Sequence, residues 1–513
     1  MENANKNLRI FLAIILSGIG VMLSYAINFV LTPFITKQLG IEAFGFVTLA
    51  KTLIGYAGIL TIALTSFIIR YISIDFHKSQ FKEANEYYSS SIGACLTLSL
   101  FILISGVFLV LVLEKLIKIP TTLISSVKLL FIIVLVNFCI TTVTTPFTTA
   151  TYIKNRLDLS GCIKILSYAL EAIIMYILFS KFEARVWYVG MGSLGACVVT
   201  FITNYFLTHK LTPELKFNRS YISFSKIKNL LSNGIWNSIN QLGNVLNSGL
   251  DLLISNLLLT DVGTGQISVA KTISTMFVSL LQIVSQPFQP LLIKAYASED
   301  KEYFLYELKK SMNICGYFGN IAFAGFFALG NLYYKLWLPG QDNELLHILT
   351  LITVFNYITD SLMRPIYYVN TLTLKNKIPC IVTIFGGFLN VVSMYILLKY
   401  THLGVYAVVI TTAVIMVSIN LFFNPIYASK CLGIRYRYFY PVILRHILSC
   451  AILCIVLKVI NYVINPHNWS GLILTAIIMA IVGFVFHISI TMGVRYLYTL
   501  IQKFIMKISK KNK

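Results

Sequence analysis

The sequence predicts an all-α polytopic membrane protein of about 14 transmembrane helices. They would form two pseudo-repeated six-helix lobes around a central cavity, followed by two further helices. Three observations predict this: long continuous apolar segments, basic residues concentrated on alternate connections, and a short repeat at an offset of six spans. The chain has 513 residues, 57% hydrophobic and only 12% charged. That charged share is about half the usual one for a soluble protein. A membrane-crossing helix needs ~20 mostly apolar residues, so 14 would use ~300. This excludes a soluble domain, a disordered chain and a disulfide scaffold. The apolar runs are continuous rather than alternating, which excludes an outer-membrane barrel.

The segments, numbered here as spans 1 to 14, are 10–35, 44–69, 91–113, 128–151, 159–180, 186–207, 235–259, 265–292, 311–336, 346–373, 378–399, 403–427, 442–464 and 471–494. Span 1 is too long for the core of a cleaved signal and reads as a retained helix. The longest connection, 208–234, is basic (Lys210, Lys216, Arg219, Lys226, Lys228) and reads as a cytoplasmic linker between the lobes. The resulting domains are a six-helix lobe over 1–207, the linker over 208–234, a second six-helix lobe over 235–427, two additional helices over 428–494 and a basic amphipathic tail over 495–513.

The formal charge is +22. With the N-terminus inside, the cytoplasmic segments carry 27 Lys or Arg and the opposite loops 8. That asymmetry fixes orientation in a membrane and leaves both termini cytoplasmic. It also accounts for the charge without nucleic acid as a partner. The tail, with Lys503, Lys507, Lys510 and Lys511 set among Leu500, Phe504 and Ile508, reads as a helix on anionic lipid. No C-x-x-C occurs among the nine cysteines, and the seven histidines are scattered without metal spacing. No catalytic group, metal or cofactor is implied. No outer loop is long enough to carry the catalytic groups of a polymerase or ligase.

Spans 2 and 8 begin alike: 45–53 reads GFVTLAKTL and 265–273 reads GQISVAKTI, sharing Gly, Ala, Lys and Thr. Duplicated halves are a recurring transporter design with the substrate site between them. Ionisable groups at membrane depth face a cavity or a partner. Lys51 and Lys271 lie about two turns into their helices, ~10 Å at 1.5 Å per residue, and with Arg364 are candidates to hold a substrate anion. Asp251 lies at nearly the depth of Lys271, where a buried pair is the plainer reading. Lys51 has no acid at the repeat-equivalent position, which is Leu31. Asp360 and Arg364 are four apart and can neutralise each other, and Pro365 is expected to kink span 10. Lys164 and Glu171 share a face of span 5. Asp251, Glu171 and Asp360 are candidates for ion coupling or pairing. Arg445 and Lys458 can snorkel to an interface.

Polar residues form stripes. Span 7 carries Asn237, Asn240, Gln241, Asn244, Asn247, Ser248, Asp251 and Ser255 at steps of three and four. Span 8 adds Gln282 and Gln286, and span 4 adds Thr141, Thr144, Thr145 and Thr148 around Pro146. Polar residues can glue membrane helices together, but stripes this long suit a water-filled lumen rich in hydroxyls and amides, as a sugar requires.

The first hairpin has Asn28-Phe29, Pro33, Leu39-Gly40, Glu42 and Phe44-Gly45. This resembles the "P…LG.e.yG" turn of the Wzx-type repeat-unit flippases. They are the polysaccharide exporter branch of the multidrug/oligosaccharidyl-lipid/polysaccharide superfamily. Asp251, Gly265, Ser268, Ala270 and Lys271 resemble its span 7–8 region, Pro287 and Pro290 its late span 8, and Asn370 with Leu374-Lys375-Asn376-Lys377 the end of its span 10. The resemblance implies a V-shaped, two-lobed transporter of the bacterial cytoplasmic membrane that works by alternating access. Its substrate would be a polyprenyl pyrophosphate bearing an oligosaccharide repeat unit of a capsule, O-antigen or exopolysaccharide. Membrane lipids, a polysaccharide polymerase and chain-length machinery would be partners. Lys51 and Lys271 match, by position and charge, the cations such proteins offer to the pyrophosphate. The alternatives are a lipid II flippase, or a cation-coupled drug or metabolite antiporter using Asp251 or Glu171.

Overall fold

Helix follows helix along the whole described chain, because nearly every apolar run is long enough to satisfy its own backbone, as hydrocarbon demands. The computed structural model describes residues 22–492 except 28, 155 and 374. The start of span 1, Asn28, Leu374 and the basic tail therefore lie outside the described residues. No strand occurs among those described. Twelve described helices are long and apolar enough to cross a membrane. Residues 22–27 and 29–39, all helical, belong to the described part of span 1. Span 7 is helical from Phe224 to Leu258 around a π turn, but its polar stripe keeps it out of the twelve.

The helices divide into two compact units, Met1–Ser268 and Val269–Lys513. The expected linker, 208–234, lies inside the first unit rather than between units. Helix Tyr188–Leu211 and helix Phe224–Asn244 shorten the connection to 212–223. Polar side chains at the start of helix Phe81–Leu111 hold that segment down. Asn85 Nδ2 donates to the Glu214 carbonyl at 3.0 Å, and Asn85 Oδ1 accepts from Lys216 N at 2.6 Å. Ser89 and Ser90 accept from Asn218 N (3.1 Å) and Ser223 N (2.8 Å). Lys226 pairs with Glu83 and reaches Glu86. One apolar core then joins Leu64 and Ile68 of span 2, Tyr88 and Ile92 of span 3 and Phe147 of span 4 to Leu215 of the connection and Leu230 of span 7.

Span 2 is broken into Ile41–Gly55, Gly58–Thr65 and Ile68–His77. Span 7 lies along it so closely that a side chain is excluded: a Cβ on Gly234 would stand 1.9 Å from the Ala63 carbonyl oxygen. Ser238 donates to the Ile59 carbonyl at 2.6 Å, and the Tyr56 hydroxyl donates to that of Gly249. Farther along, the shared glycines of the repeat meet. A Cβ on Gly45 would lie 3.1 Å from Gly265 Cα, and one on Gly265 would lie 2.4 Å from the Ile41 oxygen. Glycine at a crossing lets two backbones approach, the usual packing device in membranes.

The second unit is built on helix Lys301–Trp337, whose 37 residues outrun a ~30 Å hydrocarbon core. Leu308 and Met312 pack on Leu362 and Ile366 of span 10 and Ile443 of span 13. Ala324 packs on Leu453 of span 13 and Met479 of span 14. Span 10 divides at Asn356 into Asn343–Phe355 and Tyr357–Leu372, and Pro365 sits inside the second of these without ending it. Span 12 carries a π turn, Ile419–Phe423.

Candidate functional site

The first unit contains a polar cavity of about 420 Å³ between spans 4, 5 and 6. Its span 4 wall includes a 3₁₀ turn, Thr145–Thr148, which holds Pro146, a residue that cannot donate to the helix. Threonines around the turn donate to their own helix: Thr141 to Asn137 O (2.9 Å), Thr144 to Ile140 O (2.7 Å) and Thr148 to Thr145 O (2.7 Å). Each hydroxyl keeps acceptor lone pairs for whatever occupies the cavity. The opposite wall is helix Leu157–Lys181, which contributes Lys164, Ser167, Tyr168 and Glu171.

Glu171 accepts from the Ser193 hydroxyl at 2.8 Å, and Ser167 and Thr200 lie 2.7 Å apart. Lys164 is exposed and has no hydrogen-bond or ion-pair partner among the described residues. The cavity thus offers one free ammonium, one carboxylate and a wall of hydroxyl and amide acceptors. The sequence reading found Thr141, Thr145, Lys164 and Glu171, but not Asn137 or Ser193. Asn137 stands one turn before Thr141, and that spacing was its only signal.

The other candidates are placed differently. Lys51 is exposed on helix Ile41–Gly55 beside the fully buried Leu49 and Ala50, and it has no partner among the described residues. Asp251 is buried (4% exposed) and Lys271 half-buried, and each engages a partner, so neither is a free charge. Arg364 is not free either. Its Nε and Nη2 reach Asp360 Oδ2 at 3.0 and 2.9 Å. The Tyr367 hydroxyl lies 2.9 Å from Asp360 Oδ1 and 3.0 Å from Asn420 Oδ1. Asn420 sits in the π turn of span 12 and also accepts from Asn424 Nδ2 at 2.9 Å. The offer of Arg364 to a substrate anion is therefore corrected to a neutralised pair within a polar network.

The stripe of span 7 does not run straight. Asn237, Asn240 and Asn244 are exposed and Gln241 half-buried, but Asn247 is 1% exposed and gives its amide to the Gly243 carbonyl at 2.9 Å. Asn247 is thus withdrawn as a cavity residue. The π turn Val245–Gly249 adds a residue to one turn and rotates everything beyond it, so Asn247, Asp251 and Ser255 turn inward. Gln282 and Gln286 are exposed, the latter at the break before Pro287.

No protein-family model matches the chain. It is 27% identical over 456 residues to the "uncharacterized membrane protein EpsK" of Bacillus subtilis (strain 168), covering 89% of this chain and 90% of that one. Among solved structures it is similar to an inward-facing multidrug resistance MATE family transporter of the MOP superfamily, with TM-score 0.66 and 15% identity over 82% of this chain and 99% of that one. The lipid II flippase MurJ in an inward closed conformation has TM-score 0.66 and 14% identity, with 93% and 98% covered. A MOP superfamily transporter from Pyrococcus furiosus has TM-score 0.58 and 15% identity, with 83% and 96% covered. The chain is a multi-pass membrane protein. More particularly, its fold is the one seen in MOP-superfamily transporters.

Proposed function

We propose that this protein is a flippase carrying a polyprenyl-pyrophosphate-linked oligosaccharide repeat unit across the bacterial cytoplasmic membrane by alternating access, with both termini cytoplasmic. The observation that carries this reading is the cavity of spans 4 to 6. Its threonine and asparagine acceptors suit the many hydroxyl donors of a sugar, and its free Lys164 suits an anion. Lys51, a second cation without a partner among the described residues, suits the pyrophosphate. The last two spans support a flippase over a smaller antiporter. The match to MurJ covers 93% of the chain, leaving too few residues to omit everything after 427. A polysaccharide polymerase and chain-length machinery would act downstream.

The test is deletion of the gene followed by lipid extraction. Accumulation of a lipid-linked oligosaccharide in the cytoplasmic leaflet, with loss of surface polysaccharide, is the expected result. Accumulation of lipid II instead would make it a lipid II flippase. A second reading, a cation-coupled antiporter, draws on the likeness to MATE transporters and on Glu171 within the same cavity. Unchanged surface polymer with altered drug tolerance would favour it.

A further inference from the structure

The connection 212–223 lies along span 3 as a strap, and its depth follows from what it touches. Helix Phe81–Leu111 begins well before the apolar run that opens at 91. The headgroup layer adds ~5–8 Å on each side of the hydrocarbon, or about five residues of helix at 1.5 Å each. Ser89 and Ser90 therefore stand at headgroup depth, and they hold the backbone of Asn218 and Ser223. Ile222 reaches the apolar run itself, since a Cβ on Gly93 would lie 3.1 Å from its Cδ1.

The strap cannot roll over. Leu215 is sunk in the apolar core, and Asn85, Ser89 and Ser90 take up backbone groups on the same side. Phe217 is left 47% exposed and Phe224, the first residue of span 7, 79% exposed, with Ile222 exposed between them. Interleaved with these are the exposed Lys216, Arg219 and Lys228, none with an ion-pair partner among the described residues. Lys226 is already neutralised by Glu83 and Glu86. Glu214 is the one acid within 212–228. Apolar side chains alternating with basic ones are what a segment lying in a membrane interface presents.

We propose that the strap and the start of span 7 form a docking surface for anionic phospholipid, with Phe217, Ile222 and Phe224 among the upper acyl chains and Lys216, Arg219 and Lys228 on the phosphates. A zwitterionic headgroup brings its own cation with each phosphate, so three unpaired basic residues favour the anionic lipid. An acidic soluble protein could meet the charges, but it would not reach Ile222 at the level of the apolar run. The inference needs only a chain that spans a membrane and does not depend on what is transported.

The test places a reporter on the surface: Phe224→Trp in the full-length protein, reconstituted in phosphatidylcholine vesicles. Its fluorescence over the wild-type background is read with about a fifth of the lipid replaced by brominated phosphatidylcholine or brominated phosphatidylglycerol. Both should quench it, and phosphatidylglycerol should show at least about a fivefold higher occupancy, the effect of one basic residue near an anionic surface. The triple change Lys216→Gln, Arg219→Gln and Lys228→Gln should remove the preference. So should about 1 M salt acting on Phe224→Trp alone, by screening. Phe108→Trp, at an exposed position farther along span 3, should be quenched equally by the two lipids. Absence of quenching at residue 224 puts the strap in water and overturns the proposal. Equal quenching there by both lipids overturns it as well. So does a preference that survives both the triple change and high salt, or one that Phe108→Trp shares.

Discussion

The Asp360–Arg364 pair gives a prediction in which charge, depth and network can be separated. Both side chains are about one-sixth exposed, 17% and 16%, and both Arg364 contacts converge on Asp360 Oδ2. Removing one partner of a buried pair costs ~3–5 kcal/mol, because the other charge is stranded. Partial exposure reduces this to roughly 2 kcal/mol for either single change, since solvent screens the remaining charge. Asp360→Asn keeps an oxygen for the Tyr367 hydroxyl, and Arg364→Gln keeps a donor for residue 360. The double variant strands no charge and should lose no more than about 1 kcal/mol, so the coupling energy is about 3 kcal/mol. At roughly 1–2 °C per kcal/mol for a chain of this size, each single variant should melt a few degrees low and the double variant close to wild type. The assay is thermal unfolding of the purified protein in detergent. Additive losses in the double variant would refute the argument. Restored stability combined with lost export would return Arg364 to the substrate.

The other predictions concern packing and the free cations. Gly234→Ala sets a Cβ against the Ala63 carbonyl, a backbone atom that cannot swing away, and should cost ~1–3 kcal/mol by overpacking. Gly325→Ala meets nothing within 4 Å and should gain up to ~1 kcal/mol of helix propensity; equal melting temperatures for the two variants would contradict the close approach. If the proposed function holds, Lys164→Gln and Lys51→Ala should each reduce surface polymer at least several-fold. Lys458→Ala should not, because its ammonium, 5.4 Å from the Phe327 ring centroid, serves packing; three equal polymer levels would count against the cation argument.

The spans were legible because an apolar run in lipid has one solution, a helix that bonds to itself. The expected edges fall short of the observed helices, which continue past the hydrocarbon: span 3 begins at Phe81 rather than 91, and span 9 at Lys301 rather than 311. Asp360–Arg364 was legible because four residues make one helical turn. The span 7 stripe was misread from Asn247 onward because a regular period assumes a regular helix, and no residue in VLNSG announces a π turn. The cavity was half legible. Span 4 announced itself through clustered threonines, whereas Ser193 is one small residue among several in span 6 and acquires its role only beside Glu171.

The similar starts of spans 2 and 8 have a physical reason to stay similar. The visible similarity covers 45–53 and 265–273, and that is where the two copies touch, glycine to glycine. A single close contact constrains both positions at once: a side chain on Gly45 crowds Gly265, and one on Gly265 crowds Ile41. Neither copy can change without moving the backbone of the other. The cavity walls are under no such mutual restraint, so span 4 carries a threonine cluster and span 10 an ion pair. The two repeat-equivalent lysines follow the same division. Both occupy the corresponding turn of their helices, yet Lys51 has no partner among the described residues whereas Lys271 does. Shared backbone geometry fixed the position, and the different neighbours decided which cation remains available to an anion.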